Sequence, residues 1–300
     1  MHHETPPLKA WLLLGLLALI WGSSFLLIKK GLLAFSPDQL AAIRIASAGF
    51  VLLPFILQRV KTVRARHWLK LISVGLVGSF IPAFLFAFAQ TELPSGVTGV
   101  LNTFTPLATL IIGVVLFHQR AVAQQWIGVL IGLVGTTLLV TASASGAFEF
   151  NRYALLIIAA TICYGLNLNL IKHHIHDLSA LTITGVSLFL VAPPALAYLL
   201  LATPFTSQLA TPEQWFSLSA ILILGVVGTA MALVIFNTVV KMTDTTFTSS
   251  VTYLIPIVAL VLGIIDGEPF FIQQALGLGA ILGGVWIANK RKRQPFNTQR

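Results

Sequence analysis

Ten apolar runs, each long enough to cross a bilayer and separated by short polar breaks, account for nearly all of this 300-residue sequence. A helix rises 1.5 Å per residue, so about 20 apolar residues span the hydrocarbon core. By that measure the spans fall at residues 10–30, 39–58, 68–90, 96–117, 123–141, 152–171, 179–202, 214–241, 246–266 and 272–289. No water is available in lipid to satisfy backbone groups, so runs of this length must be helices. The breaks carry turn and stop signals, among them Ser36-Pro37-Asp38, Glu92-Leu93-Pro94 and Asp266-Gly267-Glu268-Pro269. None is long enough to hold a soluble domain. Only 9% of residues are charged, against about 25% in a soluble domain. The first run is too long for a signal-peptide core and lacks an evident small-residue cleavage site, so it is read as a retained helix. The predicted fold class is an all-α polytopic membrane protein of ten transmembrane helices.

The basic residues set the orientation. Lys9, Arg59, Lys61, Arg64, Arg66, Lys70, Arg120, Lys172, Lys241, Lys290, Arg291, Lys292, Arg293 and Arg300 lie at one set of span ends. Lys29, Lys30 and Arg152 lie at the other, and Arg44 falls inside the second span. Loops rich in Lys and Arg stay cytoplasmic. Both termini are therefore predicted cytoplasmic, which requires an even number of spans and favours ten over nine or eleven. The acidic Asp38, Glu92, Glu149, Glu213, Asp266 and Glu268 lie mostly on the outer side. The same bias accounts for the pI near 10.1 without a nucleic-acid partner.

An internal repeat divides the ten spans. Val77-Gly78-Ser79 matches Val227-Gly228-Thr229, and Phe86 matches Phe236, at an offset of 150. Ser95–Pro106 matches Thr245–Pro256 at the same offset. Gln124-Gln125, Gly128 and Gly135 match Gln273-Gln274, Gly277 and Gly284 one residue short of it. Trp21-Gly22 and Ile28-Lys29 match Tyr164-Gly165 and Ile171-Lys172 at an offset of 143. Four matches in one order predict two five-helix halves, residues 1–145 and 146–300. Five is odd, so the halves are inverted repeats with respect to the membrane, around a central cavity. Inverted repeats place substrate near the midplane and supply two states of similar energy, one open to each side.

Polar side chains inside the spans are costly and few, and they are the candidates for that site. Trp21 and Ser24 lie in the first span, Arg44 in the second, Gln90 at the end of the third, and Asn102 and Thr103 in the fourth. Tyr164 and Asn167 lie in the sixth, Asn237 in the eighth, and Thr252 and Tyr253 in the ninth. Asn102-Thr103 and Thr252-Tyr253 each precede a proline that frees a backbone carbonyl. The competing reading is that such groups bond only to a neighbouring helix. Arg44 can snorkel outward, pair with Asp38, or meet a substrate carboxylate or act in gating; Lys29 and Lys30 read as interface anchors, Lys29 near the cavity mouth. No Asp or Glu lies in the middle third of any span, which argues for facilitated efflux or exchange rather than proton coupling. No dense basic cluster inside the spans would grip a sugar phosphate, so a neutral or zwitterionic solute, an amino acid above all, fits best. His173, His174 and His176 sit at a cytoplasmic helix end and read as an ordinary polar terminus, with no metal or other cofactor expected. No catalytic constellation and no nucleotide-binding loop is present.

Ala18-Leu19-Ile20-Trp21-Gly22-Ser23-Ser24-Phe25 followed by Lys29, Ala42-Ile43-Arg44, and the helices of Pro106 and Pro256 resemble the EamA family of the drug/metabolite transporter superfamily across the whole chain. The second half departs from the pattern at Cys163-Tyr164-Gly165-Leu166-Asn167, and His118 stands opposite Glu268 where such proteins often carry Glu in both halves. The resemblance implies ten helices around a cavity, alternating access, and residence in a bacterial inner membrane. A transporter of small metabolites, acting as a monomer or homodimer in the lipid bilayer, is the leading reading. An intramembrane lipid enzyme and a receptor or scaffold are the alternatives. The first lacks its acid–base groups and the second leaves the inverted duplication unexplained.

Overall fold

The computed structural model describes residues 7–140, 151–175, 177–242 and 251–289. Glu149, His176, Thr245 and the basic tail from Lys290 lie outside the described residues, as do the side chains of Asn237 and Lys241. Among the described residues every regular element is a helix. In order they are α1 (Leu8–Gly31), α2 (Pro37–Val51), α3 (Leu53–Arg59), α4 (Ala65–Gly75), α5 (Ile81–Ala89), α6 (Ser95–Asn102) and α7 (Thr105–Phe117). There follow α8 (Ala123–Val140), α9 (Ala154–His174), α10 (Ala180–Leu201), α11 (Pro212–Gly225), α12 (Ala232–Met242), α13 (Val251–Ile265) and α14 (Ile272–Asn289).

Capping chemistry fixes several starts. The Ser36 N–H donates to Gln39 Oε1 at 3.1 Å, with Pro37 in the first turn, where its missing N–H costs nothing. Thr211 and Gln214 do the same for α11, the Thr211 N–H donating to Gln214 Oε1 at 3.0 Å and the Gln214 N–H to Thr211 Oγ1 at 3.3 Å. After α13, Gly267 turns the chain at φ +84°, a left-handed conformation that glycine adopts without steric cost.

Among the described residues, six stretches are long and apolar enough to cross a membrane: Leu8–Gly31, Ala65–Ala89, Ser95–Phe117, Ala154–His174, Ala180–Leu201 and Pro212–Phe236. A seventh, Pro37–Val51 with Leu53–Thr62, is bent by 52° beside Pro54, which lacks an N–H and crowds the preceding turn. Ala123–Leu138, Val251–Ile265 and Ile272–Ala288 are shorter apolar helices. Large apolar side chains face outward along the bundle, with Leu201 86% and Ile265 75% exposed. Water would penalise such a surface; hydrocarbon accepts it.

Three helical stretches depart from a plain α-helix. Leu76–Phe80 joins α4 to α5 as a π-helical turn, and Val226–Met231 joins α11 to α12 in the same way. These turns lie 150 residues apart, on the repeated Val-Gly-Ser and Val-Gly-Thr. The fourth stretch breaks at Thr103-Phe104 into α6 and α7, just before Pro106. The carbonyl that Pro106 frees, that of Asn102, is taken by the Thr105 hydroxyl at 2.8 Å.

Close contacts recur in pairs at the offsets of the repeat. Trp21 packs on Phe236 with ring centroids 5.6 Å apart, and the matching Tyr164 and Phe86 lie 6.1 Å apart. Gly22 lies against Val258 and Gly165 against Ala108. Gly225 abuts the Arg44 carbonyl and Gly75 that of Ser187. Gly128 meets Gly284 and Gly135 meets Gly277, where α8 and α14 pack backbone to backbone. In every pair, each partner's counterpart is found by adding or subtracting 143, 149 or 150.

Candidate functional site

Five of the candidate residues, Trp21, Ser24, Arg44, Tyr164 and Asn167, lie where α1, α2, α9 and the two π-helical stretches meet, and a sixth, Gln90, caps the neighbouring end of α5. The Trp21 indole N–H donates to the Gly228 carbonyl at 3.1 Å, so a backbone group of one π-turn is held by the first helix. Ser24 is buried beside Gly228, where a Cβ would stand 3.1 Å from its hydroxyl. Asn167 stands in the same relation to Gly78 of the other π-turn, where a Cβ would stand 2.8 Å from its amide. At both glycines a polar side chain approaches closely, and any added Cβ would have to displace it. Asn167 Oδ1 is buried without a hydrogen-bond partner.

The aromatic wall runs from Phe25 to Phe86 (5.9 Å) and from Phe86 to Tyr164, stacked at 27°. Gln90 Nε2 donates to the Phe25 carbonyl at 2.9 Å, while its Oε1 is buried without a partner. Arg44 lies within electrostatic reach of the Tyr164 phenol. Among the described residues no carboxylate pairs with Arg44. The pairing with Asp38 is not made: the two residues are six apart on α2, a rotation of about 240° around the helix, and Asp38 Oδ2 accepts instead from the Tyr198 hydroxyl at 2.8 Å. A guanidinium in hydrocarbon without a counter-charge is costly, which makes its position informative.

The other candidates are placed differently. Thr103 is buried and its hydroxyl is spent on the Val100 carbonyl of its own helix. Asn102 Oδ1 lies 3.4 Å from the Thr105 hydroxyl. Thr252 is half-buried near the start of α13, and Tyr253 packs against the main apolar core. The side chain of Asn237 is outside the described residues. Asn169, a polar residue of the same helix as Asn167, ties helices together: its Nδ2 donates to the carbonyls of Thr109 (3.0 Å) and Gly165 (2.9 Å). Its Oδ1 accepts from Gln119 Nε2 at 2.7 Å.

The two ends of the bundle are built from different chemistry. At the end that the charge bias places outside, Lys29 Nζ lies 2.7 Å from Asp266 and 3.0 Å from Glu268, and Lys30 Nζ lies 2.5 Å from Asp266. Glu268 also accepts the Ser95 and Gly96 N–H groups at 2.9 and 3.0 Å, at the start of α6. Burial pushes the Glu268 carboxyl up, but those two N–H groups and Lys29 outweigh it and hold it below the usual carboxylate range. Hydrogen bonds from Lys29 and Lys30 lower Asp266 as well. Lys29 and Lys30 are therefore ion-paired, where the sequence suggested interface anchors. At the opposite end the contacts are of another kind: Gln119 Nε2 sits 2.8 Å from His173 Nε2, and Phe117 stacks on His173 at 4.9 Å.

Trp21, Ser24, Arg44, Gln90, Tyr164 and Asn167 are the candidates that the sequence offered here, whereas Gly78 and Gly228 as close-approach positions, the π-turns and the ionic cluster were not among them.

The sequence model of the EamA-like transporter family matches twice, at residues 8–141 and 151–290. A probable amino-acid metabolite efflux pump of Salmonella typhimurium is 26% identical over 91% of this chain and 92% of its own. The uncharacterized inner membrane transporter YedA of Escherichia coli is 27% identical over 92% of this chain and 89% of its own. A solved crystal structure superposes with a TM-score of 0.61 at 21% identity, covering 94% of this chain and 96% of that one, and shows the same fold. The chain belongs to the EamA-like transporter family and is a multi-pass membrane transporter.

Proposed function

We propose that the protein exports amino acids or related zwitterionic solutes across the bacterial inner membrane by alternating access, as ten spans in two inverted five-helix halves with both termini cytoplasmic. The observation that carries this reading is the Arg44 guanidinium beside Tyr164, with the unpartnered oxygens of Asn167 and Gln90 in the same convergence of helices. A cation suits the carboxylate of an amino acid, and amide oxygens with aromatic faces suit its ammonium group. The Salmonella relative is named as an amino-acid metabolite efflux pump, which supports the same class of solute. Contacts that recur in pairs at the repeat offsets, the two family matches and the paired π-turns support the duplication. Inversion is supported by where equivalent contacts fall. Lys29–Glu268 closes one end, and the contacts of Gln119 and Phe117 with His173 close the other.

The test is flux. Purified protein in liposomes, offered a panel of labelled amino acids, acidic metabolites and sugars, should move at least one zwitterion down its gradient. Arg44→Ala should reduce that flux by tenfold or more with folding intact, since one lost charge-assisted hydrogen bond contributes about 1.5–3 kcal/mol. Absence of flux across the whole panel, with protein shown to be folded, would overturn the reading.

A further inference from the structure

From a cavity at the basic end of the bundle, distinct from the central convergence, we infer that the protein carries a binding site for an anionic phospholipid of the inner leaflet. The cavity, of about 680 Å³, opens at the basic end of the bundle between the turn that follows α3 and the connection from α9 to α10. Arg59, Lys61, Arg64 and Arg66 line it, with Ser179 and Thr182 across from them. Its carboxylate, Asp177, is already committed: Arg66 Nη2 donates to it at 2.5 Å and His67 Nε2 lies 3.1 Å away. The Arg66 guanidinium holds the Asp177 carboxyl down to about 2, so it stays ionised and keeps Arg66 occupied at any physiological pH. Arg59, Lys61 and Arg64 have no carboxylate partner among the described residues. The cavity is thus left with three uncompensated cations.

The shape beside it says which anion fits. An apolar crease between α3 and α10, lined by Leu52, Phe55, Ile56 and Val186, shares Arg59 and Thr182 with the basic cavity. The crease is narrow, about 10 Å³, so methylenes lie along it rather than enter it. Its existence follows from the 52° bend beside Pro54, which swings α3 away from the line of α2. Phe55 and Leu57 are 54% and 61% exposed on α3, facing the space where acyl chains run. A soluble phosphate would use the cations and leave the crease bare. A phospholipid uses both, its phosphate among Arg59, Lys61 and Arg64 and its chain on Phe55. Basic recesses at the cytoplasmic ends of spanning helices have this chemistry, with an anionic headgroup gaining about fivefold in affinity per nearby cation.

The test uses the full-length protein in detergent, titrated with phosphatidylglycerol or phosphatidylcholine and read by native mass spectrometry. Phosphatidylglycerol should bind at least tenfold more tightly than phosphatidylcholine. The exposed triple variant R59Q/K61Q/R64Q should lose that preference, a drop of about 100-fold at fivefold per cation, while Phe55→Asn should weaken both lipids alike. Inorganic phosphate or glycerol phosphate, at about 10 mM, should not displace the lipid. Equal binding of the two lipids, a triple variant within twofold of the parent, or displacement by the free anions would overturn the assignment. An unchanged melting temperature in each variant excludes misfolding. None of these readouts depends on which solute is transported.

Discussion

Replacing Glu268 by Gln tests whether the ionic cluster holds the outer end of the transporter shut. The Glu268 side chain is 8% exposed and accepts from Lys29 Nζ, Ser95 N–H and Gly96 N–H. Hydrogen bonds to a charged group contribute about 1.5–3 kcal/mol each, and neutral ones about half that. Gln keeps one acceptor oxygen for a backbone N–H, turns an NH₂ towards the other, and leaves Lys29 with Asp266 alone. The closed state should lose about 2–3 kcal/mol, which multiplies the outward-open population by about 30–150 if opening breaks these contacts. The Lys30–Asp266 pair, with side chains 31% and 17% exposed, contributes at most about 1 kcal/mol, so Lys30→Gln should change that population only a few-fold.

The assay is thiol accessibility. With the lone cysteine Cys163 replaced by Ala and a reporter thiol at position 24, the labelling rate by an impermeant reagent added outside follows the outward-open population. The labelling rate, divided at each pH by that of the same thiol in denatured protein so that the loss of thiolate cancels, should also be flat from pH 8 to pH 5. Both carboxyls are held below their usual range, so their contribution to the closed state is fully present above it and is lost only as pH falls through the depressed values. A Glu268→Gln rate within threefold of the parent, or a labelling transition near pH 6, would refute the reasoning.

Further outcomes follow from single contacts. Arg44→Lys should retain part of the flux that Arg44→Ala loses, because the charge remains while the planar two-pronged donor is gone; initial rates against solute concentration check this. Asn169→Leu removes three hydrogen bonds, one to Thr109 of α7, one to Gln119 in the connection after it and one within α9, and should destabilise the protein by about 1–2 kcal/mol, given the modest worth of such bonds in lipid. A lower melting temperature with an unchanged KM is the expected result. Gly135→Val would place a Cβ 2.7 Å from the Gly277 carbonyl oxygen and should cost about 1–3 kcal/mol through overpacking between α8 and α14. His118 is exposed with φ 51°, so His118→Gly should raise the melting temperature slightly, by up to about 1 kcal/mol of relieved strain.

Hydropathy located the helices well because the length of a span and the polarity of its breaks are local properties. The expected 68–90 and 214–241 coincide with the stretches that begin at Ala65 and Pro212, and Ser36 and Thr211 mark helix starts by capping alone. The π-turns were not legible, since Val-Gly-Ser is as compatible with an α-helix as with a π-turn. What decides is the approach of Asn167 and Ser24 to Gly78 and Gly228 from helices far away in sequence. Partner choice was equally hidden. Lys29 and Glu268 are 239 residues apart, and nothing in either neighbourhood distinguishes a paired lysine from one that snorkels to the interface. Arg44 could be recognised as intramembrane but not as unpaired, because Asp38 was a plausible neighbour until Tyr198 was seen to occupy it.

The repeated contacts and the unequal ends bear on one question, which of two conformations the protein prefers. In the core the halves are nearly interchangeable: Trp21 with Phe236 mirrors Tyr164 with Phe86, and Gly225 on Arg44 mirrors Gly75 on Ser187. Exchanging the roles of the halves leaves such contacts about as favourable as before, so the core does little to choose a state. At the tips the exchange is not neutral. In the proposed inverted arrangement Lys172 takes the place of Lys29 and His118 that of Glu268, so the position equivalent to Glu268 supplies no carboxylate to the pair. On the proposed function, the differences Trp21/Tyr164 and Arg44/Ser187 would make a solute's surroundings lopsided, while Glu268/His118 would make the conformational equilibrium lopsided. Polarity of the solute site and bias of the cycle are thus written at different positions, and His118→Glu should restore a second latch, slowing exchange by stabilising the inner closure without touching Arg44.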